Sequence, residues 1–102
     1  MSRKVIISKR ASLKLTRLLE YLETEWSAKV KDDFIQKLDK SLLIIQENPD
    51  GFEKSKSISG LHKCVITKQI SLFYKHDKNR ISIVSIFDNR QHPNRLIEEI
   101  QE

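Results

Sequence analysis

The feature that most constrains this chain is a set of three short β-prone runs in its second half. They span residues 61–66, 70–76 and 81–87, and short polar breaks separate them. β-Branched and aromatic residues favour an extended backbone, and breaks this short usually join neighbouring strands in antiparallel order. The sequence therefore predicts a contiguous antiparallel meander.

Two amphipathic helices are predicted before the meander. Apolar residues recur at helical spacing after Ser8 and again after Ser27, and each serine is a suitable N-cap. The first apolar stripe consists of Ala11, Leu15, Leu18, Leu19, Leu22 and Trp26, and the second of Val30, Phe34, Ile35, Leu38, Leu42 and Ile45. The second helix should stop at Asn48-Pro49. Neither stripe can bury itself alone, so both are expected to pack on the meander.

The ends of the chain complete the predicted topology. Val5-Ile6-Ile7 is predicted to form a short buried strand, and residues 94–102 a short C-terminal helix or a tail that orders on binding. The predicted fold is therefore α+β, with the order β-α-α-β-β-β and a mainly antiparallel sheet. A chain of 102 residues is expected to form one domain, residues 1–102.

Strand alternation predicts which side chains share a face of the meander. The second strand should place Ile70, Leu72 and Tyr74 on one face. The third strand should place Ile81, Ile83 and Phe87 on one face, with Val84 and Ile86 opposite. Because both faces carry apolar groups, we expect the helices to cover one face and the tail or a partner to cover part of the other.

The net charge of +5 is unevenly distributed. Residues 1–17 carry six basic and no acidic side chains, and residues 54–95 carry nine basic and two acidic ones. Residues 18–53, in contrast, carry four basic and nine acidic side chains. A basic sheet surface suits nucleic acid or an acidic partner, and a solvated lysine-rich surface is the alternative interpretation.

Cysteine usage and hydropathy limit the cellular setting. Cys64 is the single cysteine, so no intrachain disulfide forms, and no cysteine–histidine spacing indicates zinc. No metal or cofactor is expected. The longest apolar run is the four residues 42–45, so no membrane span or signal-peptide core is predicted. A reducing cytoplasm is the expected location.

The meander resembles that of the RelE/ParE family of bacterial toxins. The resemblance rests on Gly60-Leu61 before the first strand, Leu72-Phe73-Tyr74 on the second, and Arg90, with Pro93 following, after the third. That family also opens with a strand and a helical hairpin ending in an Asn-Pro-like stop. The resemblance implies a toxin of a type II toxin–antitoxin (plasmid stabilisation) module. It also implies a cognate antitoxin and a toxin–antitoxin hetero-oligomer. From the uneven charge and the apolar second face of the sheet, we expect an extended or helical segment of the antitoxin to lie over the basic meander.

Cleavage of RNA at a 2′-hydroxyl needs a base, an acid, and cations for the phosphorane charge. The candidate catalytic residues are His62, His76, His92 and Arg90, with Tyr74 as an acid or a stacking group. Binding to nucleic acid or another target is expected of Lys63, Lys68, Tyr74, Lys75, Arg90 and Arg95. The alternative interpretation is structural: exposed histidines and lysines are often only solvated, and Arg90 can pair with Asp88.

The catalytic residues of the family's nucleases help to rank three hypotheses about the mechanism of this chain. The positions that carry lysine, arginine and tyrosine in RelE-type ribosome-dependent nucleases fall on His62, Cys64, Ser71, Arg90 and Leu96, and only Arg90 keeps the family's residue. This favours the ParE branch, whose members are taken to poison DNA gyrase without cleaving RNA. A metal-independent mRNA endonuclease that uses the histidines is the second hypothesis. A non-toxic basic nucleic-acid-binding domain is the third.

Overall fold

A computed structural model describes residues 3–56, 58–90 and 95–96. Its elements are strand β1 (Lys4–Ile7), helix α1 (Lys9–Glu25), helix α2 (Ala28–Glu47), a 3₁₀ turn (Pro49–Gly51), and strands β2 (His62–Val65), β3 (Ile70–His76) and β4 (Arg80–Asp88). The predicted element order is confirmed. Arg95 and Leu96 are helical, and the rest of the predicted C-terminal helix lies outside the described residues. None of the described helices is long and apolar enough to cross a membrane.

The helical hairpin begins and ends where local chemistry requires. The Ser8 and Ser27 hydroxyl groups each accept a hydrogen bond of 3.1 Å, from the N–H groups of Ala11 and Val30 respectively. Each bond satisfies one amide that has no partner within the first helical turn, so both predicted N-caps are confirmed. Helix α2 ends immediately before Asn48, and Pro49 opens the 3₁₀ turn.

The four strands form one mixed sheet in the order β1-β4-β3-β2. β3 pairs antiparallel with both β2 and β4, whereas β1 runs parallel to β4 with Val5 opposite Ile81. The prediction that β1 is buried is wrong, because Ile6 and Ile7 are 37% and 36% exposed. β1 lies at an edge of the sheet, so it has a neighbour on one side only.

A β-bulge in β4 changes the sheet face on which the side chains at the end of this strand lie. Phe73 lies opposite Ser85 but Tyr74 lies opposite Ile83, so Val84 is the extra residue. Beyond it Ile86 packs on the hairpin side and Phe87 on the other side. The prediction that Phe87 shares a face with Ile81 and Ile83 is therefore wrong, because simple alternation assumes a continuous ladder.

The main core lies between the hairpin and the sheet. Phe34, Leu38 and Ile45 of α2 are buried there with Leu72 and Tyr74 of β3. Leu15, Leu18, Leu19 and Leu22 of α1 pack against this core. Trp26, in contrast, is 67% exposed, and its predicted place in the apolar stripe is wrong. It is the C-cap of α1, with non-helical backbone angles that take it out of the stripe.

A second, smaller cluster covers the sheet face that lies away from the hairpin. Leu61, Phe73, Phe87 and Leu96 are buried in it. Leu96 belongs to the predicted tail, so the tail does contribute to covering this face. Ile58, from the loop before β2, packs against the same cluster. Exposed large apolar side chains of the described residues are therefore found mainly on the hairpin and the sheet edges rather than on this face.

Candidate functional site

Two predicted histidines meet at one end of the sheet, beside an aspartate. His62 lies on β2 opposite Tyr74, and His76 lies two residues further along β3. The Nε2 atoms of His76 and His62 are 3.0 and 3.7 Å from the same Oδ1 atom of Asp50, in the 3₁₀ turn. The imidazole centroids are 5.3 Å apart. We call Asp50, His62 and His76 the His–Asp cluster.

The ring of His62 is fixed in orientation. Its Nδ1 lies 3.0 Å from the carbonyl oxygen of Phe52, and its ring stacks on Tyr74 with the centroids 5.2 Å apart. A carbonyl can only accept, so Nδ1 carries the proton of that bond and the neutral ring keeps its lone pair on Nε2. The His62 side chain is only 8% exposed, whereas that of Asp50 is 77% exposed. The cluster thus has a rigid buried side and an open side.

Tyr74 cannot serve as the acid or stacking group that the sequence suggested. Its side chain is fully buried in the main core, and its hydroxyl donates a hydrogen bond of 2.6 Å to the carbonyl oxygen of Pro49. Burial raises the pKa of Tyr74 well above its ordinary value. The residue instead fastens the end of the hairpin to β3.

Arg90 lies in an exposed ion pair with Asp88. Its Nε and one terminal nitrogen donate to the two carboxylate oxygens at 3.0 and 2.6 Å, and its backbone N–H donates to the same carboxylate at 2.9 Å. Hydrogen bonding from Arg90 holds the pKa of Asp88 below its usual value, and the same pair raises the pKa of Arg90. The alternative pairing expected from the sequence is thus present.

The predicted catalytic residues are divided: Arg90 lies far from the pair His62 and His76. Asp88, the partner of Arg90, lies opposite Ile70 at the start of β3, whereas His76 lies at its end. Six strand steps separate these ends, which corresponds to roughly 20 Å. His92 lies outside the described residues, so its position relative to either end is not described.

The predicted target-binding lysines are also divided. Lys68 is exposed in the turn between β2 and β3, at the Arg90 end, where its carbonyl accepts a hydrogen bond from Asn89. Lys63 and Lys75 lie on strands at positions that face away from the hairpin, Lys63 directly opposite Phe73. Arg95 is exposed. Lys63 and Lys75 therefore share the sheet face that lies away from the hairpin, on neighbouring strands, whereas Lys68 lies at the Arg90 end.

A groove of about 860 Å³ runs between the hairpin and the Arg90 end of the sheet. Its most exposed apolar side chains are Trp26, Tyr21 and Val30, at 67%, 53% and 37%. The charged side chains that line it are Arg17, Asp33, Lys37, Asp88 and Arg90. We call this feature the hairpin groove. It combines exposed aromatic surface with a charged rim, as protein-binding sites do.

Comparison with known sequences places this fold in a family. Residues 5–93 match the sequence profile of the ParE toxin of the type II toxin–antitoxin system parDE. The chain belongs to the ParE toxin family. It is therefore a toxin of a type II toxin–antitoxin system. No curated protein sequence is significantly similar to it over its length.

Solved structures agree with the fold of this toxin. The chromosomal ParDE toxin–antitoxin system from P. aeruginosa superposes with a TM-score of 0.71 at 11% identity, covering 85% of this chain and 96% of that one. The YoeB dimer from Staphylococcus aureus gives 0.64 at 22% identity, covering 85% and 97%. The E. coli DinJ-YafQ toxin–antitoxin complex gives 0.61 at 13% identity, covering 88% and 96%. At such identities the likeness concerns the fold alone.

Sequence reasoning missed two residues of these sites in the toxin. No role is predicted for Asp50 from the sequence, although an acidic residue within a Pro-Asp-Gly turn is well placed to project from it. Trp26 continues the leucine spacing, so the sequence predicts it in the apolar stripe. The serine that caps the next helix, Ser27, is the signal that could have placed Trp26 in the connection instead.

Proposed function

We propose that this toxin acts in the cytoplasm as a ParE-like poison of DNA gyrase that does not cleave RNA, and that a cognate antitoxin neutralises it. The observation that carries the proposal is the separation of the predicted nuclease residues. Arg90 is clamped to Asp88 at one end of β3, and His62 and His76 lie at the other end.

A nuclease site needs its acid, base and cation around one phosphate. Catalytic groups act from about 3 Å or through one water, and the two ends of β3 are roughly 20 Å apart. The aromatic candidate, Tyr74, is buried and its hydroxyl is bonded to a backbone carbonyl. A toxin that acts by binding a macromolecule needs no such assembly. Arg90 is exposed on the rim of the hairpin groove and remains available for that binding.

The test is to compare gyrase and mRNA directly. Purified toxin added to a gyrase supercoiling reaction should block supercoiling, and its induction in a bacterial host should cause an SOS response with intact mRNA ends. Co-expression of the short open reading frame next to the toxin gene should restore growth. Codon-positioned cuts in mRNA, together with undisturbed supercoiling, would refute the gyrase assignment.

The antitoxin is proposed to occupy the hairpin groove. This groove carries the largest exposed aromatic side chains among the described residues, Trp26 and Tyr21. Arg17, Lys37 and Arg90 supply positive charge at its rim. A fitting segment carries apolar side chains for the groove and carboxylates for the rim. This position differs from the sequence-based expectation of docking over the meander face, which the second cluster already fills.

A ribosome-dependent mRNA endonuclease is the second candidate, and a specific observation favours it. His62 and His76 do lie together, with the exposed carboxylate of Asp50 between them and solvent. If these imidazoles act as acid and base, His76→Asn should lower mRNA cleavage by roughly a hundredfold. Arg90→Ala should leave that cleavage unchanged, because Arg90 lies at the other end of the sheet. Equal losses in both variants would contradict an active site confined to the cluster.

A further inference from the structure

Three metal-ligating atoms converge at the His–Asp cluster. One ligand atom from each of Asp50, His62 and His76 lies within 4.8 Å of the others. We propose that these three residues bind one zinc ion, with a fourth coordination position open to solvent. The inference does not depend on the cellular target of the toxin.

The distances suit an ion of this size. Zinc binds imidazole nitrogen at about 2.0–2.1 Å and carboxylate oxygen at about 2.0–2.2 Å, so ligand atoms of a tetrahedral site are about 3.3 Å apart. The Asp50 oxygen is already 3.0 Å from His76 Nε2 and 3.7 Å from His62 Nε2. Small side-chain rotations of Asp50, which is 77% exposed, and His76 can complete the geometry.

The second observation is the orientation of His62. Histidines that bind zinc usually donate their other ring N–H to a carbonyl or a carboxylate, which fixes the ring and presents the free nitrogen to the metal. Here Nδ1 of His62 donates to the carbonyl of Phe52 at 3.0 Å, and the ring is held on Tyr74. In the neutral ring, Nε2 and the Asp50 carboxylate then face each other as two acceptors, an arrangement that a cation between them would stabilise.

The ligand set has the pattern of an open zinc site. Two imidazoles and one carboxylate leave one position of a tetrahedron, and the exposed Asp50 faces solvent on that side. The ligands also come from three elements: the 3₁₀ turn after α2, β2 and β3. A bound ion would therefore join the end of the hairpin to the sheet, beside the bond from Tyr74 to Pro49.

Zinc titration of the full-length toxin, without a histidine tag and after chelator treatment, tests the proposal. Isothermal calorimetry should show one ion per chain, and cobalt should give the visible absorption of a tetrahedral site. Free zinc at a hundred times the Kd should raise the Tm by about 10–20 °C. These readouts require no toxicity assay, so they are independent of the gyrase assignment.

Two exposed-side variants decide the matter. Asp50→Asn and His76→Asn should each weaken zinc binding by about a hundredfold, since each removes a direct ligand. Asp39→Asn, an identical change on the exposed face of α2, is the control and should bind as the unmodified chain does. His62→Asn is less suitable, because it also removes a buried ring from the core. Absence of saturable binding at one ion per chain, or Asp50→Asn and His76→Asn variants that bind zinc as tightly as the unmodified chain, would overturn the proposal.

Discussion

Polar side chains lie at both ends of strand β3, but they are buried at one end and exposed at the other. At one end His62 and Tyr74 are buried, and both donate to backbone carbonyls from the segment just after α2. At the other end Arg90 and Lys68 are exposed, and Arg90 forms an ion pair with its neighbour Asp88. A polar residue of this meander is therefore structural where the chain leaving the hairpin reaches it. Elsewhere in the meander a polar residue remains on the surface, where a binding partner can contact it.

Both ends of β3 share the main core, and substitutions there are expected to cause the largest loss of stability. Leu38 of α2 is 7% exposed and lies in the main core. Leu38→Ala should lower the free energy of unfolding by about 2–5 kcal/mol, because it removes buried methyl groups and leaves a cavity. Urea unfolding measures this change, and toxicity should fall through loss of folded protein.

Leu43→Ala is the matched control. It makes the same change on the same helix at a side chain that is 63% exposed, so its stability should be close to that of the unmodified chain. If both variants unfold at the same urea concentration, the assignment of the core face of α2 is wrong.

Much of this core could be predicted from the sequence, because the signals are local. Ser8 and Ser27 cap helices wherever an apolar stripe follows them, and Asn48-Pro49 ends a helix irrespective of its surroundings. The meander strands lie within one or two residues of the predicted runs for the same reason. Local chemistry therefore determines the element order and the hairpin.

The second prediction tests whether the buried end is structural. In Tyr74→Phe the Pro49 carbonyl loses its hydroxyl donor while it stays buried, which should cost about 1–3 kcal/mol of unfolding free energy. Tyr21→Phe, at a side chain 53% exposed, is the control and should change stability little. Thermal melts of the two variants provide the measurement. Loss of toxicity in Tyr74→Phe with an unchanged melt would instead give that hydroxyl a functional role.

The features that could not be predicted from the sequence depend on contacts between residues far apart in the chain. The bulge at Val84 arises from how β3 and β4 pair, and it moves Ile86 and Phe87 to opposite faces from those expected. The approach of Asp50 to His76 joins residues 26 positions apart. No spacing rule within a single strand or helix contains that information. The candidate site was therefore predicted only as a set of residue types.

The third prediction concerns the exposed end and should have a smaller effect on stability. Because Arg90 lowers the pKa of Asp88 in the folded protein, the ion pair contributes stability above the ordinary carboxyl pKa of about 3.9. That contribution is lost as the pH falls through the lower, folded-state pKa. The Tm difference between the unmodified chain and Arg90→Gln should therefore be small near neutral pH and vanish at about pH 2.

Thermal melts across this pH range test the assignment. Asp77, whose pKa is lowered by the N–H groups of Asn79 and Arg80, should give both proteins the same additional loss at low pH. An Arg90→Gln protein that unfolds at neutral pH would show that Arg90 belongs to the structural end of the comparison.

The last prediction concerns binding through the hairpin groove and involves no loss of stability. Trp26 is 67% exposed beside the hairpin groove, so Trp26→Ala should leave the Tm unchanged. If the antitoxin occupies this groove, losing the aromatic side chain should weaken antitoxin binding by roughly 30-fold, equivalent to about 2 kcal/mol. Leu13→Ala, at a residue that is 50% exposed and does not line the groove, is the control and should bind normally. Calorimetry with the purified antitoxin separates the cases. Equal affinities for both variants would mean that the antitoxin binds elsewhere, whereas a Trp26→Ala protein with a lowered Tm would mean that this end of the molecule, too, depends on its aromatic side chain for folding.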